Sequence, residues 1–286
     1  MRKTFAHLTR TGSVAIAVAA IATSLLAPQT AQAASVDLQP SFTAADHPIT
    51  DVAGLVNARL LGSVKGASNR TVNSTNLIRS ESLDKLTPAS AKVLADKYDV
   101  KLVIDLRTPT QIAAAPDVPI PGAKTVDISL FGDNGDYSDD TVMYHDLVNK
   151  GYVDSSDRGP MISGYAKVLQ ELASVKSGTV LIHCSHGMDR TGTVMDLLYH
   201  ILGVSDDDIL HDYLLSNTML NVTWATPDLL QGTFEQDIAT KFGGMDNYLA
   251  KYVGVTPREE AQLRHRYLLA PHCASTAGPH RPVVSD

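Results

Sequence analysis

The sequence predicts an α/β fold, with a mostly parallel central sheet flanked by helices and an α-rich C-terminal part. Three observations predict it. Residues 100–104 (VKLVI) and 179–182 (TVLI) are short, largely apolar runs, the pattern of strands buried on both faces. Each is joined to a helix-period segment, and such alternation favours parallel pairing. From residue 193 onward, helical periodicity dominates. The 286 residues, 44% hydrophobic, suffice for one substantial domain or at most two small ones.

The elements follow in chain order. Arg2, Lys3 and Arg10 precede an apolar stretch, 14–27, and then Ala31-Gln32-Ala33. This is the pattern of a secretory signal peptide over 1–33, cleaved before Ala34. A retained anchor is the alternative, but the stretch is short for a spanning helix and Pro28 follows it. The mature protein is therefore expected to be secreted, with no stable membrane anchor. Residues 34–50 read as a flexible leader and 51–270 as the folded domain. Residues 55–61 and 71–79 read as short strands, with turns at Gly62-Ser63 and 66–69. A helix is expected over 87–98, where Thr87 suits the cap and Pro88 the first helical position. The strand 100–104 ends at Asp105-Leu106-Arg107, and 124–128 is a further strand. Residues 131–160, rich in Gly, Asp and Ser, read as an irregular region or lid with a short helix near 142–149. A helix over 161–174 places Ile162, Tyr165, Val168, Leu169 and Leu172 on one side. After the helix 193–202, Ser205 and three aspartates start another. Those aspartates suit a helix N-terminus better than a calcium site. Residues 228–242 and 245–252 read as helical. Thr256-Pro257-Arg258-Glu259 has the capping-box pattern and opens a last helix to 269. Residues 271–286 read as a disordered tail.

Charge narrows the function. The formal net charge is −7, and without residues 1–33 the chain keeps 21 basic and 31 acidic side chains, a charge of −10. That excludes a nucleic-acid binder working through a basic face. Cys184 and Cys273 are the only cysteines, so no disulfide framework holds the fold. Cys273 is either free or one half of a reversible lock with Cys184.

The segment His183-Cys184-Ser185-His186-Gly187-Met188-Asp189-Arg190-Thr191-Gly192 lies between a strand and a helix. That placement makes an anion nest. The backbone N–H groups of Ser185, His186, Gly187, Met188, Asp189 and Arg190 line it, and the helix N-terminus adds positive potential. A thiol at its base is a nucleophile set in a phosphate cradle. Read instead as metal ligands, His183, Cys184 and His186 are too crowded for an ordinary zinc site. No metal and no cofactor is expected.

Cys184 and Arg190, with five residues between them, form the H-C-x5-R-[ST]-G signature, and the segment closely resembles that of cysteine-dependent protein tyrosine phosphatases. The likeness extends to 77–80, Leu83, Leu86-Thr87, 103–107, 212–217, Tyr248-Leu249 and 254–256, which resemble the bacterial tyrosine phosphatase-like family from about Asp51 to Leu269. The resemblance implies a tyrosine phosphatase-like fold and phosphate monoesters as substrates, on proteins or small molecules. Phosphotyrosine is the default, and some members also take phosphoserine, phosphothreonine or phosphoinositides. Cys184 would attack phosphorus and form a phosphocysteine, and Arg190 would fork onto phosphate oxygens. Gly187 would relieve crowding where backbone meets phosphate. Thr191 would hydrogen-bond the sulfur, and His183 would orient the loop.

Two residues compete as general acid. Asp189 lies inside the loop. Asp105 ends a strand whose C-terminal edge could face Cys184, with Arg107 beside it. The usual Trp-Pro-Asp loop has no counterpart: the single tryptophan, Trp224, precedes Pro227-Asp228 downstream of the nucleophile. Met188 marks a departure, because lipid-active relatives carry lysine there. Rival readings are an inositol phosphate or phosphoinositide phosphatase on the same loop, and an inactive phosphate-binding module. A rhodanese-like transferase shares a cysteine loop but not the Arg-Thr-Gly ending.

Overall fold

Six strands form one sheet in the computed structural model, which describes residues 36–132, 137–149 and 160–270. They are β1 (His47–Pro48), β2 (Arg59–Leu60), β3 (Leu77–Ser80), β4 (Val100–Asp105), β5 (Lys124–Asp127) and β6 (Thr179–His183), in the order β1-β2-β3-β6-β4-β5. The four strands β3, β6, β4 and β5 are parallel, and β1 and β2 add an antiparallel edge. The expected mostly parallel α/β sheet is therefore present. Its register aligns Ser80, His183, Asp105 and Asp127 across the C-terminal edge, where the Cys184 loop emerges.

Burial on both faces explains the unalternating strand sequences. Val180 and Ile182 point into one apolar cluster and Leu181 into another. The smaller cluster is covered by α1 (Pro88–Asp96), through Ala91 and Leu94, and by Ile49, Val52 and Leu55. The larger holds α3 (Asp140–Asn149), α4 (Pro160–Ser174), α5 (Asp189–Leu202) and α6 (Asp206–Leu220). The face expected on α4 is the buried one: Ile162, Tyr165, Val168, Leu169 and Leu172 all lie inside.

Caps fix most helix starts. Thr87 accepts from Ser90 N at 3.1 Å, with Pro88 next, and Ser205 accepts from Asp208 N at 3.3 Å. The short helix α2 (Pro109–Ala114), which the sequence reading left unassigned, has a capping box between Thr108 and Gln111. The helix α5 has no side-chain cap at all, so its first N–H groups stay available to the loop before it. The C-terminal part comprises α7 (Pro227–Leu229), a π-helical stretch Leu230–Glu235, α8 (Gln236–Phe242), α9 (Met245–Asn247), a second π-helical stretch Tyr248–Val253, and α10 (Pro257–Tyr267). The predicted capping box of Thr256 and Glu259 opens α10.

Several boundaries differ from expectation. The stretch read as a loose leader supplies β1, and its backbone is tied down: Asn217 Nδ2 donates to Leu38 O and Thr218 Oγ1 to Pro40 O. Long-range partners on α6, invisible locally, order this stretch. Of residues 55–61 only Arg59–Leu60 is strand, and of 71–79 only the end, because Thr71 and Val72 form isolated bridges with Lys65 and Leu268. The helix expected near 142 starts at Asp140, where the Asp139 carboxylate accepts from Val142 N at 3.0 Å. The last helix stops at Tyr267, two residues early. The signal-peptide segment, the tail and Cys273 lie outside the described residues. Among the described residues no helix is long and apolar enough to cross a membrane.

Candidate active site

The strand β6 ends at His183, and Cys184 follows as the first loop residue, 1% exposed. Four successive carbonyls of this loop are bound from outside. His183 Nδ1 donates to Cys184 O at 3.3 Å and Ser82 N to Ser185 O at 3.4 Å. Asn57 Nδ2 donates to His186 O at 2.9 Å, and Arg79 donates to Gly187 O at 2.8 Å. In a planar trans peptide the N–H points opposite to the C=O. Binding these carbonyls outward therefore turns the N–H groups of Ser185, His186, Gly187 and Met188 inward. One of them is seen at work, since Gly187 N donates to Cys184 Sγ at 3.2 Å. The sequence expectation of an anion nest extends this inward row of amides through Asp189 and Arg190.

Gly187 has φ +67°, and a Cβ there would land on the Ser80 carbonyl at the end of β3. The approach of the loop to the sheet is by itself a sufficient reason for glycine here. Thr191 also differs from expectation. Its hydroxyl is buried without a hydrogen-bond partner and makes no bond to Cys184, whose sulfur is held by the Gly187 amide instead. His183 does sit where it can orient the loop, with Nε2 3.0 Å from Asp117 Oδ2.

Beneath the loop lies a buried charge network. The Asp212 carboxylate on α6 receives Arg59 Nε at 2.9 Å and Arg79 at 2.5 Å. Arg59 also donates to Asn57 Oδ1 at 2.8 Å, holding the amide that binds His186 O. Burial pushes the Asp212 carboxyl up, but the two guanidiniums outweigh it and hold the group below its ordinary range.

Arg190 opens α5 and is 5% exposed. Its guanidinium donates to Ser185 Oγ at 2.9 Å, Gln111 Oε1 at 2.8 Å and Leu106 O at 3.3 Å, and it lies 4.8 Å from the centre of the Phe131 ring. Gln111 is also the capping-box residue of α2, accepting from Thr108 N at 3.3 Å.

The two candidate acids occupy opposite environments. Asp189 is partly buried and accepts from the Tyr144 hydroxyl at 2.9 Å, which in turn lies 2.6 Å from the Tyr213 hydroxyl. Burial raises its pKa, against the opposing pull of Tyr144 and Arg190. Asp105 is 1% exposed and receives Arg107 through its backbone N–H, Nε and Nη2, the last at 2.7 Å. Arg107 is itself buried and also contacts Asp117 at 2.8 Å, so it is not the surface group its position after a strand suggests.

Met188 is buried in the larger apolar cluster. His186 is exposed, with its ring edge-on to Trp224 at 5.6 Å, and Trp224 is half exposed beside it. Sequence reasoning missed Asn57, Arg59, Gln111, Phe131 and Tyr144. Only Gln111 carried a local signal, the Thr-x-x-Gln spacing; the others are brought in by the topology.

The sequence profile of the tyrosine phosphatase family matches residues 50–269. A tyrosine-protein phosphatase of Nostoc commune is 30% identical over 219 residues, covering 66% of this chain and 73% of that one. The triple specificity protein phosphatase PtpB of Mycobacterium tuberculosis is 28% identical over 111 residues, covering 38% of this chain and 40% of that one. The crystal structure of TpbA from P. aeruginosa aligns with 78% of this chain and 97% of its own, at 19% identity and a TM-score of 0.34.

Removing the charge of Asp212 tests the support beneath the loop. Asp212→Asn leaves two buried guanidiniums with no counter-charge, and the expected cost is about 3 kcal/mol of folding stability. Urea unfolding of the variant beside the parent measures it. A change within experimental error would show that the network does not hold the fold.

Proposed function

The chain belongs to the tyrosine phosphatase family, and from that premise we propose that it hydrolyses phosphate monoesters, phosphotyrosine foremost, through a phosphocysteine at Cys184. The observation that carries this reading is the loop itself. Four carbonyls are bound from outside, which turns their partner N–H groups to the inner side of the loop, and one of these, the Gly187 amide, donates to Cys184 Sγ.

The chemistry follows from those positions. Cys184, as thiolate, attacks phosphorus in line, and a P–S bond forms as the bond to the leaving oxygen breaks. Charge gathers on the three equatorial oxygens, where the loop amides and the Arg190 fork stabilise it. Asp189 gives its proton to the departing oxygen. In the second step water attacks phosphorus, the Asp189 carboxylate takes the water proton, and the thiolate leaves with phosphate released. Burial of Asp189 favours the protonated form that the first step needs. Asp105 is committed to Arg107 and is assigned a structural role.

Substrate class rests on the rim. His186 and Trp224 offer aromatic edges for a phenyl ring. The buried Met188 offers no cation for a second phosphate, which counts against inositol phosphates. The names of the relatives agree with a protein phosphatase. The N-terminal segment supports export, and the mature protein recovered from culture medium is expected to begin at Ala34 on N-terminal sequencing. Recovery of an uncleaved, cell-bound chain would refute export.

Three variants test the mechanism. Cys184→Ser is expected to abolish hydrolysis of p-nitrophenyl phosphate and of phosphotyrosine peptides. Asp189→Asn is expected to slow substrates with poor leaving groups by about 10²–10⁴-fold, and p-nitrophenyl phosphate far less. Asp105→Asn should lower stability without that leaving-group bias. The bias appearing in Asp105→Asn instead would reverse the assignment.

Tyr144 sets a pH dependence. Its hydroxyl stabilises the Asp189 carboxylate, so Tyr144→Phe raises the Asp189 pKa further. The acid works protonated, so the alkaline limb of kcat for an alkyl phosphate moves to higher pH. A pH–rate profile reads this, and movement to lower pH would contradict the assignment.

A further inference from the structure

A second cluster of ligating side chains lies away from the Cys184 loop. Asp196 and His200 stand four residues apart on α5 and so share one face. Glu235, the last residue of the π-helical stretch Leu230–Glu235, meets them from the C-terminal part. His200 Nε2 lies 3.5 Å from Asp196 Oδ1 and 4.0 Å from Glu235 Oε1. Those separations are too long for ordinary hydrogen bonds. Both Asp196 oxygens, His200 Nε2 and Glu235 Oε1 are buried with no hydrogen-bond partner at all. Asp196 is 1% exposed, so its carboxylate is a buried acceptor aimed at the cluster, ion-paired with His200 at 3.5 Å but without a hydrogen bond.

A metal ion resolves the geometry. With metal–ligand bonds of about 2.0–2.2 Å, tetrahedral ligands stand about 3.3–3.5 Å apart; His200 and Asp196 already stand at 3.5 Å, and Glu235, 4.0 Å from His200, would have to draw in. Two carboxylates balance a dication in charge. Burial works against a charged His200, yet the two carboxylates push its pKa up to about 10, and the proton they hold there leaves as the ion binds. One nitrogen and two oxygens suit zinc or a similar borderline ion, whereas magnesium and calcium prefer oxygen alone. A depression of about 310 Å³, lined by His200, Leu249, Glu260, Arg264 and the exposed Asp246, reaches the cluster through His200 alone of the three. The other convergent set among the described residues, Asp105, Asp117 and His183, differs in kind, because the Arg107 guanidinium already contacts both carboxylates there.

We propose that Asp196, His200 and Glu235 bind one divalent ion of the zinc class, with water from the depression as fourth ligand. The ion takes no part in the reaction. It bolts the helix that carries Arg190 to the π-helical stretch that ends at Glu235.

Calorimetric titration of the untagged protein with zinc tests this, in a Cys184→Ser, Cys273→Ser background that removes thiolate binding. One equivalent of zinc should bind and raise Tm by several degrees, while magnesium and calcium do neither. His200→Gln and Glu235→Gln should each weaken zinc binding at least tenfold, with circular dichroism confirming that they fold. If His200→Gln does not fold, Glu235→Gln decides. Absence of a saturable equivalent, or equal affinity in the folded variants, overturns the proposal and leaves a buried ion cluster.

Discussion

The orientation of four consecutive peptide planes, from Cys184 to Met188, is the constraint on which this structure turns. Left alone, a loop between strand and helix points its amides and carbonyls wherever water allows. Here donors from four places in the chain hold the carbonyls on the convex side: Asn57 before β2, Arg79 on β3, Ser82 after it, and His183 on β6. The concave side is left to N–H groups. The sheet order serves this arrangement, because β3 beside β6 puts Arg79 under the loop, and β2 beside β3 puts Arg59 within reach of the same aspartate. Two buried cations beneath an anion site need one buried anion to hold them, and Asp212 supplies it from α6.

Three aspartates show how burial and partners divide the work. Asp212, between two guanidiniums, stays charged and structural. Asp105, gripped by Arg107, fixes the strand end next to His183. Asp189 meets a tyrosine hydroxyl instead, and burial lifts its pKa. These three aspartates, one on β4, one opening α5 and one on α6, thus differ because each meets a different donor.

The central sheet and the loop were legible because their signals are local. TVLI running into HCSHGMDRTG states strand, nest and helix within one stretch, and the caps at Thr87, Ser205 and Thr256 announce themselves by spacing. Both acid candidates are legible in the same way, Asp189 from its place in the loop and Asp105 from its place at a strand end, and the sequence leaves them in competition. What could not be read depends on long-range geometry. No pattern near Asn57 or Arg59 says that they will meet residues more than a hundred positions away. The stretch 36–48 reads as a leader because its order comes from contacts to α6 and Val222, not from its own composition. Thr191 illustrates the opposite error. The motif placed a hydroxyl on the sulfur, and the backbone of Gly187 took that position.

Gln111 joins two tasks in one side chain. It closes the cap of α2 and accepts a hydrogen bond from Arg190. Glutamate serves a capping box as well as glutamine does. A glutamate here would form a full ion pair with Arg190, and an incoming phosphate dianion would have to break that pair before the arginine could turn to it. In the proposed reaction the neutral amide keeps the guanidinium aligned with a grip the substrate can displace. The choice of an uncharged residue at the start of a short helix on the protein's edge therefore decides how freely the central cation answers its ligand.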